Sequence, residues 1–157
     1  MRSLRKLLIL DDDPHYSGML ALKLRQRFPE LMISSCERTD ISSGYDIYVL
    51  DNDFAGEKCG AALAEEVRGQ QPNALVIVLS GTLELDLVKR LVNCHAAGVF
   101  DKSEASDLER MMTMIDYFLR QNTPEKQKAD HASLRSTVTS ISALLSEWNE
   151  RLAFERR

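Results

Sequence analysis

Leu7-Leu8-Ile9-Leu10-Asp11-Asp12-Asp13-Pro14 decides how this chain is read. Four consecutive aliphatic residues are too few for a buried helix and read as a strand covered on both faces. Asp13 before Pro14 reads as a helix N-cap followed by proline at the first helical position. A strand that runs through acids into a helix is the opening of a βα unit. In a parallel α/β sheet functional groups gather at the carboxyl ends of the strands. The residues just past each later aliphatic run therefore carry the information.

Outward from that opening, β-branched and aliphatic runs alternate with helical spacing. Strands are predicted at Lys6–Leu10, Leu31–Ser35, Asp46–Leu50, Leu75–Leu79 and Val99–Phe100. Helices are predicted over Pro14–Phe28, Gly60–Gln70, Leu83–His95 and Ser106–Arg120, where apolar residues recur every three or four positions. Such alternation gives a parallel sheet with helices packed on it. One slot is short: only Cys36–Tyr45 separates the second and third strands. A crossover normally takes a dozen residues or more, so at most a turn of helix fits there.

The strand ends form one constellation. Asp11, Asp12 and Asp13 follow the first strand, Asp51 and Asp53 bracket the end of the third, Ser80 ends the fourth and Lys102 ends the fifth. Asp13 is best used as the helix cap. The other carboxylates repel one another at a single sheet edge unless a cation neutralises them. Oxygen ligands in that number suit a hard divalent ion, Mg²⁺ before others. A lysine and a hydroxyl facing them are what a transferring phosphoryl group needs, because its equatorial oxygens must be neutralised and held.

These residues resemble the receiver domain of two-component response regulators, over about residues 5 to 120. The resemblance is carried by Leu-Leu-Ile-Leu-Asp-Asp-Asp-Pro (7–14), Tyr-Asp-Ile-Tyr-Val-Leu-Asp (45–51), Val-Ile-Val-Leu-Ser-Gly (76–81) and Ala-Gly-Val-Phe-Asp-Lys (97–102). It implies a flavodoxin-like, doubly wound five-stranded sheet of order 2-1-3-4-5, with a receiver domain at 1–121 and a C-terminal helical extension at 122–157. It also implies that Asp51 accepts a phosphoryl group from a sensor histidine kinase or a histidine phosphotransfer protein. Asp11, Asp12, Asp51 and the main-chain carbonyl of Asp53 would hold Mg²⁺, and Ser80 and Lys102 would bind the acyl phosphate. Such a protein receives a phosphoryl group and signals to a downstream protein, with no separate catalytic output domain. The alternative is a degenerate receiver that serves as a phosphorylation-independent interaction scaffold.

Four positions depart from the family pattern. Ser103 stands where receivers usually place proline after the lysine, and Phe54-Ala55-Gly56 replaces a second proline-bearing loop. Val99 occupies the place of the switch aromatic, with Phe100 next door on the opposite face. The Cys36–Tyr45 slot is the fourth. Two relatives in chemistry fit less well. Haloacid-dehalogenase phosphatases share the Asp-x-Asp start, but their metal-binding acids follow the lysine, and no acidic strand end follows Lys102. A flavin carrier on this fold needs a phosphate-cradling loop after the first strand, and Asp11-Asp12-Asp13 would repel that phosphate.

Composition narrows the rest. The 157 residues carry 20 Lys+Arg against 24 Asp+Glu and are 44% hydrophobic, which gives a net charge of −4 and excludes a disordered chain. No cluster of cations is present, so nucleic acid is not an expected partner. No apolar run approaches the roughly 20 residues that cross a bilayer, so no membrane is expected and the cytoplasm is the predicted location. Cys36, Cys59 and Cys94 are odd in number and far apart, which argues against a disulfide framework or a zinc site. Beyond Thr123-Pro124, Leu134, Val138, Ile141, Leu145, Trp148 and Leu152 recur at spacings of 4, 3, 4, 3 and 4. That is a heptad seam on an amphipathic helix, open to a second copy of the chain or to the receiver itself. The regularity of the spacing favours a homodimer.

Overall fold

Leu7 to Leu10 lie inside the protein, none more than 3% exposed. Their burial on both sides follows from where the strand sits, one place in from the edge of a sheet. The structure, a computed structural model, describes residues 4–121 together with 145, 146, 148 and 149. In chain order the elements are β1 (Lys6–Leu10), α1 (Pro14–Arg27), β2 (Met32–Cys36), β3 (Ile47–Asp51), β4 (Asp53–Phe54) and β5 (Glu57–Lys58). They continue with α2 (Gly60–Gln70), β6 (Leu75–Ser80), α3 (Leu85–Asn93), β7 (Gly98–Asp101) and α4 (Ala105–Gln121). Five strands pair in parallel in the order β2-β1-β3-β6-β7, and β4 and β5 form a separate antiparallel hairpin. This is the doubly wound sheet that the resemblance implies, its order reversing between β1 and β3.

Alternation along the strands divides the core in two. Leu8, Leu10, Tyr48, Leu50, Val76 and Val78 pack with Ala61, Ala64 and Val67 of α2 and Leu91 of α3. Leu7, Ile9, Ile47, Val49, Ile77, Leu79 and Phe100 point the other way and are also buried. There they meet the side of the sheet served by the buried Leu20 and Leu24 of α1 and Met111 and Ile115 of α4. The same alternation sorts the residues just past the strand ends, and so sorts the site.

Helix boundaries follow local chemistry. Asp13 caps α1 as predicted, its carboxylate accepting from the main-chain N–H groups of His15 and Tyr16. The helix predicted at Leu83–His95 is shorter at both ends. Glu84 is extended (φ −96°, ψ 144°), and His95 sits in the left-handed region at φ 59°, which a helix cannot continue through.

β2 departs from the expectation of an apolar strand buried on both faces. It starts one residue later than predicted, and Met32, Ser34 and Ser35 are exposed. It is an edge strand with β1 on one side, and residues 37–46 after it form no helix. In place of a helix, Cys36, Ile41 and Tyr45 cover the core beside Tyr48. The fully buried Tyr48 donates its hydroxyl to the Ser42 carbonyl at 2.8 Å and meets the Tyr45 ring edge to face at 5.9 Å. One aromatic with a satisfied hydroxyl thus fills the space that a short crossover leaves.

The chain divides into two compact units, one ending at Asp116 and one beginning at Tyr117. Of the second, the described residues are the last turn of α4 and the helical Leu145, Ser146, Trp148 and Asn149. Leu134, Val138, Ile141 and Leu152 of the predicted seam lie outside the described residues. Among the described residues no helix is long and apolar enough to cross a membrane.

Candidate functional site

Asp11 follows β1, Asp51 ends β3 and Lys102 follows β7, all three continuing the face of Ile9, Val49 and Phe100. Asp11 and Asp51 are almost fully buried, at 2% and 3% exposure. Lys102 reaches between them, its Nζ 2.8 Å from Asp11 Oδ2 and 3.2 Å from Asp51 Oδ1. The first contact is a hydrogen bond; the second is an ion pair only, and Asp51 Oδ1 is buried without a hydrogen-bond partner. Burial and the neighbouring Asp11 push the Asp51 carboxyl up to about 6, although Lys102 and the Asp53 main-chain N–H pull against them. Two buried carboxylates facing one ammonium leave a surplus of negative charge.

Asp12 joins them from the exposed side. Oxygen atoms of Asp11, Asp12 and Asp51 come within 4.8 Å of one another, the donor type and spacing that a divalent cation takes. Asp51 Oδ1, held only by the 3.2 Å ion pair to Lys102, and the surplus charge are both relieved by a cation, so the residues fit one. Asp12 is itself held in place: its Oδ2 accepts from the Ala55 N–H at 2.8 Å. Ala55 and Gly56 form the turn of the β4–β5 hairpin with φ of 50° and 83°, the positive pair that a primed two-residue turn requires. The Phe54-Ala55-Gly56 departure is therefore a hairpin, and its turn is fastened to Asp12. Asp53, half-buried at the start of that hairpin, pairs with Lys58, whose ammonium bonds Glu84 just before α3.

Ser80 and Asn52 extend the opposite face, that of Val78 and Leu50. Ser80 is 1% exposed; its Oγ donates to the Thr82 carbonyl at 2.6 Å and accepts from the Thr82 N–H at 3.2 Å. It accepts again from Asn52 Nδ2 at 3.3 Å. The Asn52 Oδ1 in turn accepts from the N–H of Gly60, the first residue of α2, at 3.1 Å. The structure thus brings Asp11, Asp12, Asp51, Ser80 and Lys102 to one edge of the sheet.

Two residues of this edge escape a reading of the sequence. Asn52, 3% exposed, reads in sequence as an ordinary polar residue after a strand. Tyr16 lies in the first turn of α1, where a tyrosine reads as surface. Its ring sits under Lys102 with Nζ 4.2 Å from the centroid, and its hydroxyl is buried with no partner. Burial raises the Tyr16 hydroxyl above its ordinary pKa.

No protein-family model matches this sequence, and no curated protein does. Solved structures do. A response regulator receiver protein from Pseudoalteromonas atlantica superposes with a TM-score of 0.64 at 13% identity, covering 75% of this chain and 99% of its own. A CheY-like receiver domain protein from Methanospirillum hungatei JF-1 gives 0.64 at 18%, over 76% of this chain and all of the other. The response regulator TrrA of Thermotoga maritima, solved in complex with Mg²⁺-BeF, gives 0.58 at 22%, over 73% and 98%. The fold is that of a response-regulator receiver domain. Within the receiver fold the departures are local. Where receivers usually carry proline, Ser103 donates both its N–H and its hydroxyl to Asp101 Oδ1, at 2.8 and 2.6 Å, and this closes the loop after β7 by other means. Val99 is partly buried against the α2–α3 core, with no aromatic ring at that position, and Phe100 turns toward the α4 side instead.

Proposed function

We propose that this chain is a phosphoacceptor response regulator of a two-component or phosphorelay system, phosphorylated on Asp51 and signalling through protein contacts. The observation that carries the reading is the clustering of Asp11, Asp12 and Asp51 with Lys102 bridging two of them. In the step proposed, an Asp51 carboxylate oxygen attacks the donor's phosphorus. A P–O bond to aspartate forms as the donor's P–N or P–O bond breaks, and the electron pair leaves with the donor. Lys102 swings from Asp51 onto the equatorial oxygens, and Ser80 offers its hydroxyl to another of them. Asp11, Asp12, Asp51 and the Asp53 carbonyl would hold Mg²⁺, which when bound would supply further positive charge for the phosphoryl group. Asp53 and Thr82 flank the approach of hydrolytic water and set the lifetime of the phosphate.

A sensor histidine kinase or histidine phosphotransfer protein is the proposed donor and a downstream protein the proposed target. The C-terminal seam, of which Trp148 is 49% exposed, is proposed to pair with a second copy of the chain. Sedimentation of a monomer at tens of micromolar would remove that pairing and leave the site untouched. The site is tested with labelled acetyl phosphate: the reading predicts Mg²⁺-dependent label on the wild type and none on Asp51→Asn. Equal binding of protein partners by both forms, with no label on either, would favour the scaffold reading.

A further inference from the structure

Ser80 has one hydroxyl proton, and it is committed. It points at the Thr82 carbonyl, while the oxygen lone pairs take the N–H of Thr82 and the amide of Asn52. A hydroxyl has one donor and two acceptor sites, so this group is saturated as it stands. It can donate to a phosphoryl oxygen on Asp51 only by leaving Thr82, and a rotation of Oγ changes the geometry presented to Asn52.

Asn52 can feel that change in one way. Its main chain is pinned at both sides, the N–H donating to the Leu79 carbonyl at 2.8 Å and the carbonyl accepting from the Cys59 N–H at 2.9 Å. The carboxamide is what remains free to turn, and its two ends have different duties. Nδ2 serves Ser80; Oδ1 serves Gly60, one of the first four helix N–H groups, which have no partner within the helix. The contact between Asn52 and Gly60 is closer than any side chain at 60 would allow. A Cβ there would stand 2.8 Å from Asn52 Oδ1 and 2.9 Å from its Cα, so glycine is required for this approach. The carboxamide is rigid and planar, so turning one end turns the other. On the neighbouring strand Val99 offers no ring that could follow the hydroxyl.

We infer that Asn52 is a positioning residue that carries the state of the Ser80 hydroxyl to the N-terminus of α2, so that α2 reads out phosphorylation of this chain. This rests on the phosphoacceptor reading above and names the element that it moves. When Ser80 turns toward Asp51, the Nδ2 bond breaks, the carboxamide re-orients, and the Gly60 N–H loses its acceptor.

The test uses the full chain, saturated with Mg²⁺ and then with beryllofluoride as the phosphoryl surrogate, and reads amide hydrogen exchange. In the wild type beryllofluoride should lower protection of the Gly60 amide about five- to ten-fold, the loss of one buried hydrogen bond. In Asn52→Asp, which keeps an acceptor for Gly60 but has no donor for Ser80, beryllofluoride should still alter the amides around Lys102, while Gly60 stays unchanged. Asn52→Ala should leave Gly60 poorly protected with and without beryllofluoride. A response at Gly60 that persists in Asn52→Asp overturns the inference, as does a wild type that binds beryllofluoride with no change at Gly60. A wild type that binds no beryllofluoride overturns the phosphoacceptor reading, and this inference with it.

Discussion

The two sides of the sheet edge are built on opposite principles. On the side of α1 and α4 stand three charges, Asp11, Asp51 and Lys102, and their pairing leaves one carboxylate oxygen without a hydrogen-bond partner. On the side of α2 and α3 stand Ser80, Asn52 and the Gly60 N–H, neutral and joined by hydrogen bonds from end to end. The charged side is frustrated without a ligand, because burial and like charge oppose ionisation of Asp51. The neutral side is satisfied without one. A frustrated cluster changes when charge arrives, and a satisfied network changes only when one of its members is recruited away. In the proposed reading the first does the chemistry and the second registers that it has been done.

The largest effects should come from breaking the charged side. Asp51→Asn should abolish phosphoryl acceptance, and in metal-free protein it should raise the melting temperature, because it removes a buried charge beside Asp11. Calorimetry with chelator checks the second point; a lower melting temperature would mean that the frustration is absent. Next, Lys102→Ala should slow labelling by acetyl phosphate about 10²-fold, because equatorial charge goes uncompensated. Initial rates at saturating Mg²⁺ measure this.

The contrast sharpens with pH. Asp51 titrates near 6 in the fold against 3.8 as an ordinary carboxyl, so the metal-free native state holds a proton that the unfolded chain releases. Its contribution to stability is therefore present below about pH 4 and lost as pH rises through about 6. Chelated wild type should lose melting temperature across that window relative to Asp51→Asn, and stabilisation by Mg²⁺ should grow over the same range. Parallel melting curves for the two proteins between pH 4 and 7 would contradict this.

The smallest effect concerns the ring under Lys102. Tyr16→Phe removes a buried hydroxyl that has no partner and should stabilise by up to about 1 kcal/mol. Tyr16→Leu should lose about 0.5 to 1 kcal/mol of cation–π attraction and loosen Lys102, which urea denaturation resolves.

The same contrast explains what a sequence discloses. Asp11 and Asp51 are legible because each comes directly after a short aliphatic run, and Lys102 because it stands just past the last strand, in line with the other strand ends. Most strands are legible for the same reason, since burial on two faces writes continuous apolar runs, whereas the sheet order is implied only by the resemblance to receiver domains. Asn52 and Gly60 are not, because an asparagine after a strand and a glycine at the start of a helix are commonplace. Their significance lies in a 3.1 Å contact and a missing Cβ, which exist only after folding. β2 reads as more buried than it is because its Leu31-Met32-Ile33 run looks like a core strand, although Met32 is exposed on an edge strand and residues 37–46 after it form no helix. The Phe54–Glu57 hairpin escapes a sequence reading because its turn takes alanine at a positive φ, a place where glycine or asparagine would have signalled it.

One measurement bears most directly on the division between the two sides. It is the initial rate of Mg²⁺-dependent labelling from acetyl phosphate, taken on wild type, Asp51→Asn and Asn52→Ala at one pH above 7. Labelled wild type, unlabelled Asp51→Asn, and an Asn52→Ala rate within about three-fold of wild type are predicted, because an uncharged change on the neutral side that leaves the charged residues as they are should cost under about 0.7 kcal/mol in the transition state. Label persisting on Asp51→Asn, or an Asn52→Ala rate as low as that of Asp51→Asn, would contradict the account.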